Sequence, residues 1–143
     1  MSVNSQLTIA LHILGFSAAR AGEPVTSDEL ARTYGTSPVV LRRVLAKLQR
    51  AGLVETQRGR GGGSVLARDA STITLREAYE AVADDQQILP RHPSGCAGRA
   101  ALVLADFVND LYADAERALL ERLEAVTVAE MDRHVRSQIR APD

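Results

Sequence analysis

Hydrophobic residues recur at helical spacing along most of this chain, and the pattern predicts a mainly α-helical protein. The segment from about Val3 to Arg20 is apolar around most of its girth, which predicts a buried first helix. A long amphipathic helix is predicted from about Cys96 to Glu124, with charges opposite one apolar stripe. The stripe consists of Leu104, Val108, Leu111, Ala115, Leu119 and Leu123. We expect this helix to pair with its copy across a two-fold axis; the alternative is a helix folded back on its own domain.

Between these helices, local signals predict a helix, a tight turn and a second helix. Thr26 and Glu29 have the spacing of a capping box, which starts the first of the two helices. Gly35 suits a left-handed C-cap, and Ser37 with Pro38 restarts the chain as N-cap and first helical residue. The apolar face of the second helix consists of Leu41, Val44, Leu45 and Leu48. This order is typical of a helix-turn-helix.

A short hairpin is predicted directly after the second helix. Leu53–Gln57 and Ser64–Ala67 are short strand candidates, and the turn between them, Arg58–Gly63, is rich in glycine. A hairpin in this position is the wing of a winged helix-turn-helix. The predicted fold class is therefore a mainly α winged helix-turn-helix with a small β-hairpin wing and a long C-terminal dimerisation helix.

Two further capping boxes predict the helices that follow the wing. Thr74 to Glu77 opens a short helix through about Ala83, and Thr127 to Glu130 opens a last short helix toward Val135. The segment Asp84–Gly95 contains two prolines and reads as a loop. We therefore divide the chain into a winged helix-turn-helix domain, residues 1–83, and a loop, dimerisation helix and short C-terminal helix, residues 84–143.

Charge is distributed unevenly between the two halves of the chain. Residues 1–68 carry nine basic and four acidic side chains, whereas residues 69–143 carry eight basic and fourteen acidic ones. Residues 42–68 alone hold seven basic side chains and one acid, Glu55. The first half therefore suits a polyanion, and together with the winged helix-turn-helix it indicates binding to double-stranded DNA.

The second helix of the helix-turn-helix offers the candidate DNA contacts. A helix fits the major groove and can present arginine to base edges. Val40 and Arg43 are the candidates for base edges, while Arg42 and Lys47 could reach phosphate instead. Thr36 and Ser37 precede the helix, where amides and hydroxyls can hold phosphate. A dimer would place two such helices on a near-palindromic site.

The wing and its flanks resemble the signature of the Rrf-type bacterial winged-helix regulators. The residues that carry the resemblance are Gly52-Leu53-Val54, Arg58-Gly59, Gly62-Gly63 and Ile73-Thr74-Leu75. That family includes the iron–sulfur cluster regulator, the nitric-oxide-sensing repressor and the cysteine-metabolism repressor, and the resemblance extends over nearly the whole chain. It implies a cytoplasmic transcription regulator, more often a repressor, with Arg58 in the minor groove and Arg60 in support. Ser64 departs from the family, which usually carries an aromatic residue there, and this bears on the packing of the wing tip.

Members of this family often hold an iron–sulfur cluster with three cysteines, and the resemblance raises the same question here. Cys96 is the only cysteine, and the positions near Leu102 and Val108 are apolar, so the chain resembles the cluster-free members and no cofactor or metal is expected. An alternative ligand is His12, read otherwise as an interface histidine. Cys96 has three readings: a buried thiol, a redox sensor activated by a helix N-terminus and Arg99, or a marker of an effector pocket.

An enzyme is not expected from these residues. Gly61–Gly63 lacks the lysine of a phosphate loop, and the three histidines are scattered without a metal-ligand motif. A single cysteine fits a reducing cytosol, and no apolar run is long enough to cross a membrane. The remaining alternative is a winged-helix module whose wing grips a protein. The small-molecule effector, if one exists, is unknown from sequence.

Overall fold

A computed structural model describes residues 1–84, residue 89 and residues 98–140 of the chain. Its elements, in chain order, are α1 (Val3–Ala19), α2 (Ser27–Tyr34), α3 (Pro38–Arg50), β1 (Val54–Gln57), β2 (Gly63–Leu66), a short 3-10 helix (Ala70–Thr72), α4 (Leu75–Ala83), α5 (Arg99–Glu124) and α6 (Val128–Arg140). The predicted winged helix-turn-helix with a long C-terminal helix is confirmed. Cys96 lies outside the described residues.

The helix-turn-helix begins and ends where the capping residues predict. Thr26 accepts a hydrogen bond from the Glu29 amide, Gly35 adopts the left-handed conformation with φ 63°, and the Ser37 hydroxyl accepts from the Val39 amide. The first capping box forms only in part, because the Glu29 carboxylate accepts from the Arg20 guanidinium at 3.0 Å. Arg20 is the C-cap residue of α1, so the ion pair connects α2 to the end of the first helix.

The wing is an antiparallel hairpin that gains a third partner from Val25, two residues before α2. Val54 pairs with Leu66 at one end of the ladder and Gln57 with Gly63 at the other. Val25 forms an isolated bridge to Ser64, with N–H···O distances of 3.0 Å and 2.8 Å. Ser64, on β2, is therefore buried between β1 and Val25. A Cβ on Gly63 would lie 2.6 Å from the Val25 carbonyl oxygen, so only glycine allows this approach.

The hydrophobic core surrounds α1, which packs against α3, α4 and α6. Its largest fully buried side chains are Ile13, Leu14, Leu30, Leu41, Leu48, Leu53, Ile73, Val25, Val44, Val54, Val82 and Val128. The four apolar positions predicted for α3 are all buried, as helical spacing requires. The core therefore holds α3 by one face and leaves its opposite face in solvent.

Short backbone bridges hold the start of α4 against the start of α6. The Leu75 amide donates to the Val126 carbonyl and the Val128 amide to the Ile73 carbonyl, each at 2.9 Å. Both predicted capping boxes form, at Thr74 and at Thr127. Helix α6 continues to Arg140, beyond the predicted end near Val135, because no glycine or proline interrupts it.

Helix α5 divides its apolar residues between the domain and solvent. Leu120 and Leu123, near its C-terminal end, pack against the core. Leu104, Phe107 and Leu111, nearer its N-terminal end, remain more than half exposed, Phe107 by 66%. The predicted stripe is therefore covered at one end only. Among the described residues, no helix is both long and apolar enough to span a membrane.

Candidate nucleic-acid interface

The N-terminal half of α3 presents a polar and apolar surface to solvent. Val39 is 60% exposed, Arg42 and Arg43 are exposed, and Val40 is only half-buried. Sequence reasoning selected Val40 and passed over its neighbour Val39, although Val39 also lies off the buried stripe. An exposed valine next to arginines is available for the methyl group of thymine, which is an apolar feature of the major groove.

The start of α3 keeps polar groups available for an anion. The Ser37 hydroxyl oxygen accepts from the Val39 amide at 3.2 Å, which leaves its own O–H free to donate. Thr36 donates its backbone N–H to the Ala31 carbonyl at 3.1 Å, so its hydroxyl is the group that can turn outward. These two residues stand at the positive end of the helix, where phosphate is favoured.

Arg42 lies near one acidic residue of α2. Its guanidinium approaches the Asp28 carboxylate at 3.8 Å, and both side chains are mostly exposed. An exposed pair of this kind contributes only about 0.2–1 kcal/mol, so a phosphate can replace the carboxylate with little loss. Arg42 also lines a cleft that the wing residues Thr56 and Gly63 line from the other side. Helix α3 and the wing therefore flank one cleft.

The tip of the wing exposes two arginines on a turn that requires glycine. Arg58 and Arg60 are exposed, and Gly59 and Gly61 between and after them have φ values of 95° and 76°. A Cβ on Gly62 would lie 2.2 Å from the Gln57 carbonyl oxygen. Across residues 1–84 and 98–140, no carboxylate pairs with Arg43, Arg58 or Arg60. These cations are therefore available to an external anion.

Lys47, which the sequence analysis gave as a candidate for a phosphate contact, has its partners within the fold. Its side chain is 9% exposed, and its ammonium donates to Gln6 Oε1 at 2.7 Å and to the Val82 carbonyl at 3.4 Å. The same ammonium forms an ion pair with Asp84. Helical periodicity placed Lys47 off the apolar stripe, but its side chain reaches into the space between α1 and α4. It is not available to DNA.

Arg68 is likewise used within the fold. It forms an ion pair with Glu77, the carboxylate of the capping box of α4. Partial burial acts to raise the pKa of Glu77, but hydrogen bonds from the Thr74 amide and from Arg68 outweigh it and lower the pKa below its ordinary value. Of the basic residues between 42 and 68, Lys47 and Arg68 therefore have ion-pair partners on α4 or at its end.

Several known proteins are similar to this chain in sequence and in fold. A family model described as Rrf2, iron-dependent transcriptional regulator, matches residues 3–134. Protein aau3 of Rhizobium meliloti is 42% identical over 84 residues, which cover 59% of this chain and only 54% of that protein. YwnA of Bacillus subtilis is 27% identical over 93% of this chain and 98% of its own length. The solved structure of CymR, the global cysteine regulator of B. subtilis, superposes with a TM-score of 0.69 at 24% identity, covering 90% of this chain and 94% of that one.

The family description names iron, and the donor groups of this chain fit an iron–sulfur cluster poorly. The whole sequence contains one cysteine, Cys96, whereas such clusters are held by several thiolates. Within the described part of the chain, no group of three or more His, Cys, Asp or Glu residues is placed to hold a metal ion. The ring of His12, the alternative ligand, is stacked on Tyr34 with centroids 4.3 Å apart.

The match of residues 3–134 covers nearly the whole chain, and the fold agrees with it. The same family accounts for the absence of an enzyme motif in the sequence. The chain therefore belongs to the Rrf2 family, whose members are DNA-binding transcription regulators and not enzymes.

Proposed function

We propose that this chain is a homodimeric repressor that binds a near-palindromic operator, with α3 in a major groove and the wing over an adjacent minor groove. The observation that carries the proposal is the cleft flanked by Arg42 of α3 and by the wing residues Thr56 and Gly63. Arg43 on α3 and Arg58 and Arg60 on the wing are exposed and have no acidic partner among the described residues. Surfaces of this charge and shape bind the phosphate backbone.

Each exposed residue of α3 takes a role from its position. Arg43 and Val40 are assigned to base edges, and the exposed Val39 joins them because it can contact a thymine methyl group. Arg42 is assigned to phosphate, because its exposed ion pair with Asp28 is weak and a phosphate can take the place of the Asp28 carboxylate. Thr36 and Ser37 are assigned to phosphate at the start of the helix.

Residues 84–143 supply the dimer in this proposal. The exposed Leu104, Phe107 and Leu111 on α5 form an apolar surface that a second copy of α5 would cover. To bind two half-sites, such a dimer must present its two α3 helices about one turn of DNA, roughly 34–36 Å, or a multiple of it apart. A regulator of this kind works in the compartment that holds the chromosome, which is the bacterial cytoplasm.

The wing arginines provide the test of the DNA-binding mechanism. Arg58→Ala should weaken operator binding by about 1–3 kcal/mol if it contacts bases. It should lower the slope of log affinity against log salt by about one if it neutralises one phosphate. Combined with Arg60→Ala, the loss should grow, because both cations project from the same turn. The measurement is fluorescence anisotropy with a labelled operator across a salt series.

Arg133→Ala is the matched control, since Arg133 is an exposed arginine on α6, far along the chain from the wing. It should leave affinity and salt slope unchanged. Circular dichroism and light scattering verify that fold and dimer persist in each variant. If the Arg58→Ala, Arg60→Ala double variant binds like the wild type, the wing does not contact DNA. If the wild type shows no salt-dependent binding to DNA, the alternative of a wing that binds a protein is favoured.

A further inference from the structure

An apolar cavity lies beside α1, and none of the proposed DNA contacts lines it. Its volume is about 330 Å³, within the size range of small-molecule sites in proteins. It is formed by α1, the last residue of α2 and α6. The side chains that shape it are His12, Phe16, Tyr34, Met131, Val135 and Ile139.

One wall of the cavity is an aromatic cluster. The rings of His12 and Tyr34 are stacked with centroids 4.3 Å apart and planes 16° apart. Phe16 meets Tyr34 edge to face at 6.1 Å. The opposite wall belongs to α6, where Val135 is half exposed and Ile139 is 77% exposed. A flat apolar molecule between these walls would stack on the rings and shield both aliphatic side chains from water.

The charged groups at the rim are already satisfied within the protein. Asp132 accepts from Arg136 Nε at 2.8 Å, and the same guanidinium donates to the Ala19 carbonyl at 3.2 Å. Burial raises the pKa of the Tyr34 phenol, which stays protonated and donates to the His12 carbonyl at 3.4 Å. No free charge among these groups would balance a charged ligand, so a neutral molecule fits better.

The aromatic wall also connects the cavity to the DNA-reading element. Tyr34 is the last residue of α2, and Gly35 directly after it makes the left-handed turn toward α3. A smaller cavity of about 180 Å³ lies against the same His12 and Tyr34 rings and reaches Thr36 and Leu41 at the start of α3. A displacement of Tyr34 would therefore change the conformation of the turn that positions α3.

We propose that this cavity binds a neutral, planar aromatic compound, and that binding lowers operator affinity by displacing Tyr34. The coupling to DNA rests on the proposed function, whereas the binding site does not. An occupant from the partner subunit is the competing possibility, since Val135 and Ile139 could instead be covered by a second copy. The two occupants predict different results when a side chain is introduced at the cavity rim: loss of ligand binding in one case and a change in molecular mass in the other.

N-phenyl-1-naphthylamine, a neutral fluorescent aromatic amine, is a suitable probe for the native dimer. We expect saturable fluorescence enhancement at one probe per chain. Ala19→Phe places a ring at the cavity rim from an exposed position at the end of α1, and should weaken probe binding at least tenfold. Ser137→Phe is the matched control on an exposed position of α6 that does not line the cavity. It should bind the probe like the wild type.

The same proteins are then titrated with operator DNA. The probe should weaken operator binding by wild type and Ser137→Phe at least threefold, and should have no effect on Ala19→Phe. No saturable probe binding, or equal binding by both variants, would overturn the ligand site while leaving operator binding intact. A change in molecular mass in Ala19→Phe alone would show a subunit interface instead. Failure of the wild type to bind operator without probe would refute the proposed function separately.

Discussion

Replacing Asp84 by asparagine tests the ion pair that connects α3 to the end of α4. The pair is asymmetric, because the Lys47 side chain is 9% exposed and the Asp84 side chain is 54% exposed. The Lys47 ammonium also donates to the neutral oxygens of Gln6 and Val82. The cation is therefore inside the fold, while its only anionic partner in the described part of the chain is at the surface.

The asymmetry sets the size of the expected effect. Removing one partner of a fully buried pair costs about 3–5 kcal/mol, whereas exposed pairs contribute about 0.2–1 kcal/mol. Hydrogen bonds to charged groups contribute about 1.5–3 kcal/mol. Because water screens the half-exposed Asp84, we expect Asp84→Asn to lower the free energy of unfolding by about 1.5–3 kcal/mol. The residue has φ 45°, a conformation that asparagine adopts readily, so backbone strain should not contribute.

Glu80→Gln is the matched control, because it makes the same change of acid to amide on the same helix. Glu80 is 55% exposed and pairs with Arg76, which is itself 39% exposed, at 2.8 Å. It should lose less than about 1 kcal/mol. Urea unfolding followed by circular dichroism at pH 7 measures both, at one protein concentration because a dimer's stability depends on it.

Lys47→Met completes a double-mutant cycle with Asp84→Asn. It removes the buried cation but leaves the oxygen of Gln6, a residue 8% exposed, without this donor, so we expect a loss of about 1–3 kcal/mol. The double variant should lose less than the sum of the two. Additive losses, or an Asp84→Asn loss no larger than that of Glu80→Gln, would show that Lys47 gains nothing from Asp84 beyond a surface contact.

Three further variants address the dimer, the wing and the α4 cap. Leu111→Glu puts a charge on the exposed apolar part of α5 and should raise the dimer dissociation constant at least tenfold by analytical ultracentrifugation; a monomeric wild type at micromolar concentration would contradict the dimer. Gly63→Ala forces a methyl group to within 2.6 Å of the Val25 carbonyl oxygen and should speed hydrogen exchange of the Ser64 amide; unchanged exchange would contradict that contact. Because the folded pKa of Glu77 is lowered, its stabilisation should be complete above the ordinary value of 4.5 and disappear as pH falls through the folded value, so urea unfolding of wild type and Glu77→Gln should converge in acid.

The elements of this protein were predictable because their signals are local in sequence. Thr74 and Thr127 each cap a helix with a carboxylate three residues on, and both boxes form. Gly35 ends α2 where its left-handed backbone requires glycine. The exposure of Arg43 and Arg58 also follows from the sequence, since one lies off the apolar stripe of a helix and the other at a polar turn.

Contacts between distant residues were decided only by the tertiary structure. Lys47 and Gln6 are 41 positions apart, and no periodicity in α3 indicates that a lysine stem extends across α1 to reach that amide. Glu29 satisfies the spacing of a capping box, yet the guanidinium of Arg20, nine positions earlier at the C-cap of α1, binds its carboxylate. Ser64 is buried because Val25 pairs with β2 on the side opposite β1. Local patterns fix which backbone groups are satisfied within a turn or cap, but a long side chain selects its partner from whatever the packed helices bring within reach.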